Sequence, residues 1–386
     1  MKFLQKYLLL LFLLANTTAE YLLFMSISKY LFYAVLGISV PFLFSHKVFS
    51  FAAMRKCPHI YVLAGILIVY QLLFGLNSTG ETITYFIGKL ATFGIMMLCI
   101  STNFEFYLRK SIVPFSYVIL GLIILGWFYH RTGSVDEYLV FGFANRNAAC
   151  TLASIGFAGF LFAKDQYKWF DYVNMSILFL TILIGGSRNS LAMCIIFIMI
   201  KYGLSLRLII TMAFLSVIII FVLPRLGIEI KALDRLIDTL TGKLATDRAD
   251  QRIGAMMMIQ EHPWIGWGLA SQLQGRALEI SHYGAHNGYL TFLMYMGYPM
   301  GIAFISTIVG GVIKRLRLYK FRDGIVNYHL AVMVAILFAA NQEDYLVGVN
   351  QITTNMFFVS FVVTGIYYYF YYKKSHYIGF SKNIES

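Results

Sequence analysis

The chain is a succession of long apolar runs separated by short polar segments. The runs approach the roughly 20 residues that an α-helix needs to cross a bilayer. They fall at about 5–25, 29–45, 58–76, 83–101, 112–129, 144–163, 170–186, 188–202, 206–224, 286–313, 326–341 and 352–372. Because several runs are short, the pattern allows eleven to thirteen spans. It predicts an all-α fold, a polytopic membrane helical bundle of about 12 transmembrane helices that forms a single integral membrane domain over residues 1–386.

One long polar segment, residues 225–285, interrupts this pattern. Within it, Asp247–Glu261 is predicted to form a helix, because an acidic residue lies near its start and Pro263 follows its end. The segment is therefore expected to be a large external loop that contains short helices.

Composition supports a membrane protein. Apolar residues make up 59% of the 386 residues and charged residues 13%, whereas soluble domains are about 45–50% apolar and about 25% charged; the mean hydropathy is +0.71. The net charge of +13 does not indicate nucleic-acid binding, because the basic residues lie in short clusters between apolar runs. The four cysteines are scattered singly and predict neither a disulfide framework nor a metal site: Cys57, Cys99, Cys150 and Cys194.

The basic residues also predict the topology. Most Lys and Arg residues fall in alternate loops, and cytoplasmic loops are the ones that carry this excess. Both termini are therefore expected in the cytoplasm, and the 225–285 loop, the Ser187–Asn189 turn and His286 outside. Thr17-Thr18-Ala19 resembles a signal-peptidase site, but an uncleaved first span is favoured because a multi-span protein needs no cleaved signal.

Arg188 lies between two apolar runs, after Gly185-Gly186-Ser187. An arginine at membrane depth costs about 2.5–3.5 kcal/mol on insertion scales. One interpretation is a helix-hairpin tip whose arginine reaches the lipid headgroups. The other is an anion site, in which backbone N–H groups of the Gly-Gly-Ser segment approach a phosphate beside the guanidinium.

Arg248 and Arg252 lie four residues apart on the predicted loop helix. Like charges at this spacing disfavour an isolated helix by roughly 0.2–0.5 kcal/mol, and a bridging diphosphate would turn the repulsion into bidentate attraction. Alternatively, Asp247 and Asp250 neutralise a solvated amphipathic helix on the outer leaflet.

His286 precedes Asn287 and Gly288 at the mouth of a span. Its imidazole is a candidate general base or a donor to a diphosphate, or else an ordinary interfacial histidine. Asn287 is a candidate for substrate binding, as is His282. The His282/His286 spacing is that of HxxxH, but the glutamate of HExxH is missing, so no metal site is predicted.

Amides and carboxylates at the ends of other runs suggest a sugar site, since hydroxyls are recognised by hydrogen bonds. The candidates for binding the acceptor are Arg146 and Asn147 before the sixth run, and Glu343 in the last external loop, which also holds Gln351. Solvated loops are the alternative for each of them.

Together these motifs resemble the bacterial O-antigen polymerase and O-antigen ligase family. The resemblance covers about residues 140–302 and depends on the order of its motifs: Phe143–Ala148, Ser187-Arg188, Arg248 ahead of Pro263–Gly268, His286–Leu290 and Met296–Gly301. Many members have an aromatic residue where Arg252 stands, so the resemblance leaves open how Arg248 and Arg252 divide their roles.

The resemblance implies a GT-C-type membrane glycosyltransferase that acts on the periplasmic or outer face. Its donor would be an undecaprenyl-diphosphate-linked glycan, with no nucleotide sugar, cofactor or metal. Arg188, Arg248 and His286 are the catalytic candidates by motif.

Polymerase and ligase share these motifs, and they differ in the acceptor, which is a lipid-linked repeat unit or lipid A-core. Polymerase is favoured, since each polysaccharide structure needs its own polymerase. A flippase and a chain-length regulator are candidate partners. A lipid-linked saccharide transporter is less well supported, because it would place its arginines in a central cavity.

Overall fold

The computed structural model describes residues 2–45, 48, 50–75, 80–130, 142–143, 145–163, 166–203, 205, 210, 245–269, 285–321 and 324–373. Every regular element in these ranges is helical. The α-helices are α1 (Lys2–Ala19), α2 (Met25–Ser45), α3 (Phe51–Lys56), α4 (Pro58–Phe74), α5 (Gly80–Thr102), α6 (Ile112–His130), α7 (Arg146–Ala163), α8 (Trp169–Gly185), α9 (Arg188–Tyr202), α10 (Ala245–Glu261), α11 (Gly288–Leu316), α12 (Gly324–Ala339) and α13 (Ile352–Tyr367).

The helices follow the predicted apolar runs closely. Among the described residues, five helical stretches are long and apolar enough to cross a membrane: Met25–Leu43, Gly80–Thr102, Phe106–Phe128, Arg146–Ala163 and Gly288–Tyr319. Shorter apolar helices coincide with four further runs: Lys6–Ala19, Pro58–Leu73, Trp169–Gly185 and Gly324–Ala339. The run at 206–224 lies outside the described residues, apart from residue 210. The all-helical membrane character is thus confirmed, and the count of about 12 spans stays a prediction.

Helix α13 forms the centre of the bundle. Every residue from Ile352 to Ile366 is buried, because α13 packs against α1, α5, α7, α11 and α12. Around it, α1, α2 and α5 pack together on one side, and α7 packs against α6, α8, α9 and α12 on another. Helix α4 packs on α11, and α10 also lies against α11.

The first helix is shorter than its apolar run. It ends at Ala19, whereas the run continues to about residue 25. The next residues turn toward the start of α7, where Leu22 N–H donates to the Gly142 carbonyl and Tyr21 pairs with Phe143. A tertiary contact therefore ends this helix before its hydrophobic sequence does.

Helix α11 is broken in the middle, which the apolar run did not predict. Gly297 has φ 68° and ψ 179°, outside the helical region and readily accessible only to glycine. Pro299, two residues later, has no N–H to donate to the Tyr295 carbonyl. The break leaves backbone groups of α11 that need partners from elsewhere in the chain.

Candidate functional site

The candidate site lies around the loop between α12 and α13, at one end of the bundle. Glu343 in this loop is only 7% exposed, although carboxylates are rarely buried unless they are paired. Asn147 at the start of α7 donates from Nδ2 to Glu343 Oε1 at 3.0 Å. On the other carboxylate oxygen, His286 Nδ1 lies 3.5 Å from Oε2. Three residues predicted separately as site candidates therefore meet at one carboxylate.

His286 is held in an unusual backbone conformation. Its φ is 44°, in the left-handed region that non-glycine residues seldom adopt. Such conformations persist where the surrounding structure holds them. Here the following residue, Asn287, is the N-cap of α11 and accepts from the N–H groups of Tyr289 and Leu290. The cap fixes the start of α11 and thereby the position of His286, the residue just before the cap.

Asn287 also ties the start of α11 to the acidic loop. Its Nδ2 lies 3.0 Å from the Asn341 carbonyl and 3.1 Å from Asn341 Oδ1, and its backbone N–H donates to Asp344 Oδ1. Its side-chain amide is thus occupied in capping and bridging. These contacts give Asn287 a structural role at the start of α11, and its role in substrate binding stays a prediction.

Asp344 faces inward beside Glu343. Its Oδ1 accepts from the Thr291 hydroxyl at 2.7 Å as well as from the Asn287 N–H. Burial raises the pKa of the Asp344 carboxyl, and the hydrogen bond from Thr291 partly opposes this effect. Asp344 therefore contributes a second carboxyl to the loop, and burial makes it less acidic than an exposed aspartate.

Arg188 is the first residue of α9 and is half-buried. Ser187 caps the helix by accepting from Ser190 N–H, and Gly186, with φ 71°, ends α8 by donating its N–H to Ile182 O. The predicted phosphate contact from the Gly-Gly-Ser backbone is therefore wrong for Gly186, because its N–H already has a helical partner.

A chain of hydroxyl groups joins the start of α9 to the acidic loop. Ser190 Oγ donates to Ser187 Oγ at 3.0 Å and lies 3.2 Å from Thr151 Oγ1. Thr151 Oγ1 in turn lies 2.6 Å from the Tyr345 hydroxyl, two residues after Glu343. The Arg188 helix and the Glu343 loop are thus held in register by buried hydrogen bonds, which are worth more in a low-dielectric interior.

Helix α10 confirms the predicted Asp247–Glu261 helix and extends two residues further toward the N-terminus. Its buried residues Ala255, Met258 and Ile259 pack with Met294 of α11. Arg252 Nη2 donates to the Asn341 carbonyl at 3.3 Å, which connects α10 to the loop of Glu343. The backbone of Arg248 lies one turn earlier in α10, and its side chain is outside what the structure describes.

The Pro263–Gly268 segment supplies the partners that broken helix α11 lacks. Trp267 N–H donates to Met294 O and Gly268 N–H to Tyr295 O, while Tyr298 N–H donates to Pro263 O. The close approach requires glycine on both sides. A Cβ on Gly266 would lie 2.5 Å from the Tyr295 carbonyl carbon, and one on Gly297 would lie 2.6 Å from the Trp264 carbonyl carbon.

The two motifs of the family resemblance, Pro263–Gly268 and Met296–Gly301, are therefore two halves of one backbone joint. Tyr70 of α4 completes it by donating to the carbonyls of Ile265 and Tyr295. The joint holds the backbone of α10 against α11.

Sequence reasoning missed Lys89. This side chain is buried in α5, and its Nζ donates to the carbonyls of Leu346, Val347 and Gly348 at 3.0–3.1 Å. It thereby holds the segment that follows Glu343 and Asp344. The signal was present, since a lone lysine within an apolar span is costly and marks a partner.

Arg146 opens α7 beside Asn147 and is half-buried. His282 lies outside the described residues.

Comparison with known proteins assigns a family to this region. Residues 173–305 match the family model described as O-antigen ligase. The match confirms the family recognised from the motifs, and it runs from within α8 to within α11. The matched segment includes Arg188, Arg248, Arg252 and His286. Asn147 and Glu343 lie outside it, and the packing of the helices brings them next to His286. No curated protein matches the chain.

Proposed function

We propose that this protein is a membrane glycosyltransferase that polymerises undecaprenyl-diphosphate-linked oligosaccharide repeat units into O-antigen or capsular-type polysaccharide. The observation that carries the proposal is the His286–Glu343 pair, in which Nδ1 lies 3.5 Å from Oε2. Hydrogen bonds connect the loop that carries Glu343 to α9 through Thr151 of α7, and to α10 through Arg252. A base and cationic groups at one end of a membrane bundle suit glycosyl transfer from a lipid diphosphate.

Glu343 and Asn147 orient the proposed base. A carboxylate beside Nδ1 favours the tautomer with the proton on that nitrogen, which leaves Nε2 as the basic atom. This is the arrangement of base and orienting group that activates a hydroxyl nucleophile. Asn147 in turn holds Glu343 through the 3.0 Å hydrogen bond to Oε1. Glu343 thus acts through His286 in this proposal, which departs from its predicted role as a direct acceptor ligand.

The arginines are assigned to the donor. A guanidinium offers paired donors that match phosphate oxygens, and Arg188 and Arg248 are the residues that carry this role by motif. Arg252 reaches the Asn341 carbonyl and is assigned to orienting α10 and to secondary contact with the diphosphate. Arg146, beside Asn147, is assigned to the acceptor glycan.

The reaction follows from these roles. The acceptor hydroxyl oxygen attacks the anomeric carbon of the donor sugar and gives its proton to His286. The bond between that carbon and the diphosphate oxygen breaks, and the electron pair leaves with the polyprenyl diphosphate. The positive charge of the arginines stabilises the departing diphosphate where its charge develops. The active face is the periplasmic or outer one, with both termini in the cytoplasm.

O-antigen ligase is the second candidate, favoured by the description of the matched family model. It uses the same donor chemistry with lipid A-core as the acceptor. Deletion of the gene followed by gel analysis of surface polysaccharide separates the two functions. Caps of a single repeat unit indicate polymerase, whereas free lipid-linked polymer with unsubstituted core indicates ligase. Normal polysaccharide in the deletion strain contradicts both.

A further inference from the structure

One face of α5 contacts the loop between α12 and α13. The residues on this face lie at positions i, i+3 and i+4, which are neighbours on one side of a helix: Tyr85, Gly88 and Lys89. We call these three residues the α5 contact face. All of them contact the loop residues 346–349, which begin three residues after Glu343. The α5 contact face therefore lies against the same loop that carries the proposed partner of His286.

The polar contacts of this face go to backbone carbonyls. Lys89 Nζ donates to the carbonyls of Leu346, Val347 and Gly348 at 3.0–3.1 Å, and the Tyr85 hydroxyl donates to Val347 O at 2.7 Å. These carbonyls lie in a loop and cannot use the i+4 partners of a helix, so donors must come from other elements. The α5 contact face supplies them.

The segment that it contacts is strained at Leu346. The φ of this residue is 82°, a value that a bulky side chain adopts only where the surrounding structure imposes it. Leu346 is buried, its N–H donates to Thr354 Oγ1 at 3.1 Å, and its carbonyl accepts from Lys89. Both backbone groups of Leu346 are thus held from outside the loop, one by α13 and one by α5. The backbone conformation that follows Glu343 therefore depends on Lys89.

The charge of Lys89 serves the loop backbone and not a substrate. An ammonium has three N–H donors, and the three carbonyls account for all of them. Lys89 is only 1% exposed, and its Nζ also lies 5.1 Å from the ring centre of Phe358. A charge buried within an apolar span is costly, so a residue that only filled space here would be apolar.

We infer that the α5 contact face positions the loop for glycosyl transfer, so that Lys89 and Gly88 control the placement of Glu343 beside His286. The inference rests on the proposed function, because that function gives the His286–Glu343 pair its role. Lys89 is then a positioning residue, outside the matched family segment 173–305. Because the arginines assigned to the donor lie on α9 and α10, loss of these loop contacts lowers kcat and leaves the KM for the donor unchanged.

Two kinds of variant test the inference in purified full-length protein. Lys89→Met keeps a long unbranched side chain and removes the charge, and Lys110→Met, at an exposed lysine, is its control. Gly88→Ala keeps the charge but places a Cβ 2.9 Å from Val349 Cγ1, and Val349→Ala removes that atom. Gly65→Ala in α4, where a Cβ meets no atom within 4 Å, is the control for the added methyl group.

We expect Lys89→Met and Gly88→Ala each to lower kcat by about 10- to 10²-fold, the size of effect that a small misplacement of reacting groups produces. The donor KM stays unchanged, Val349→Ala restores most of the kcat lost in Gly88→Ala, and both controls keep the wild-type kcat. A donor KM that rises in place of a fall in kcat, or no restoration by Val349→Ala, overturns the inference. If Lys89→Met does not fold, the Gly88→Ala and Val349→Ala pair decides alone.

Hydrogen exchange measured by mass spectrometry gives a readout that needs no turnover. Lys89→Met is expected to speed exchange of the backbone amides of residues 343–348 and to leave those of residues 263–268 unchanged. Faster exchange in this loop, in a protein whose wild type transfers no glycan, contradicts only the proposed function. Wild-type exchange and wild-type kcat in Lys89→Met, in a protein that does transfer glycan, contradict only the role of the α5 contact face.

Discussion

Asn147 Nδ2 donates to Glu343 Oε1 at 3.0 Å, and the opposite oxygen of the same carboxylate lies 3.5 Å from His286 Nδ1. The contact joins the start of α7 to the loop before α13, and it gives the imidazole an orienting partner. A substitution of Glu343 alone therefore tests this contact while the other charged residues of the site stay unchanged.

Glu343→Gln keeps the size of the side chain and removes its charge. We expect it to reduce transfer of lipid-linked glycan by about 10²-fold, toward the lower end of the range for loss of general-base catalysis. His286→Ala should lose as much or more. Because both residues act in one step, the double variant should lose little more than His286→Ala alone. Rates are measured with purified protein at matched folded concentration.

His282→Ala is the control for this series and should retain most activity. Additive losses in the double variant contradict the proposed dependence of His286 on Glu343. Equal losses in the two histidine variants indicate that the histidines act as a pair.

The arginines should show a requirement for shape as well as charge. Arg188→Lys and Arg248→Lys keep the charge but lose the planar pair of donors. Both are expected to impair transfer severely, whereas Arg252→Ala should be milder. Arg109→Lys is the matched control, because Arg109 is exposed and lies 3.5 Å from Glu105 outside the site. Near-normal transfer by both lysine variants at normal protein level contradicts the diphosphate assignment. If Arg252→Ala impairs transfer more than Arg248→Lys does, the roles assigned to these two arginines are exchanged.

Transfer should continue in excess EDTA. A lipid diphosphate is already a good leaving group, and two guanidinium groups supply the positive charge that a divalent cation otherwise provides. The measurement is transfer by purified protein before and after chelation. Activity that is lost with EDTA and restored by a divalent ion contradicts the arginine mechanism and makes Glu343 and Asp344 candidate metal ligands.

The joint between α11 and the Pro263–Gly268 segment predicts a stability effect. Gly297→Ala places a Cβ 2.6 Å from the Trp264 carbonyl carbon at a positive φ, where strain costs about 1–3 kcal/mol. Thermal unfolding in detergent should therefore show a lower Tm. Gly310→Ala, in the same helix with no atom within 4 Å of the added Cβ, should be neutral or raise the Tm, since alanine favours a helix by up to about 1 kcal/mol. Equal Tm values for the two variants contradict the role of the joint.

Local pattern predicted most of the helices, and it suggested the site candidates one by one, whose roles stay predictions. The bounds of α9 and the end of α10 follow from apolar runs, a Ser187 cap and Pro263, all of which act over a few residues. Two contacts could not be predicted. One is the hydrogen bond between Asn147 and Glu343, and the other is the set of hydrogen bonds from Lys89 to the loop that follows Glu343. Those contacts depend on how α5, α7 and α13 pack, which one sequence does not specify. Likewise, the break in α11 at Gly297 was not predicted, and the segment that supplies its backbone partners comes from another part of the chain.

Asp344 should make stability depend on pH in a defined direction. Burial raises the pKa of its carboxyl, so the folded state binds the proton at a higher pH than the unfolded state, whose value is about 3.9. Stability is then greatest below the unfolded pKa and falls as pH rises through the folded pKa. Asp344→Asn removes this titration and keeps an oxygen that accepts from Asn287 and Thr291.

We therefore expect the Tm of the wild type to fall with rising pH across that interval and the Tm of Asp344→Asn to fall less. Asp250→Asn, on the exposed face of α10, should follow the wild type. Differential scanning fluorimetry of the three proteins in one detergent over a pH series measures this. Parallel curves for the wild type and Asp344→Asn would show that the buried carboxyl does not limit stability, and the loop would then owe its position to Lys89 and Asn287 rather than to a protonated Asp344.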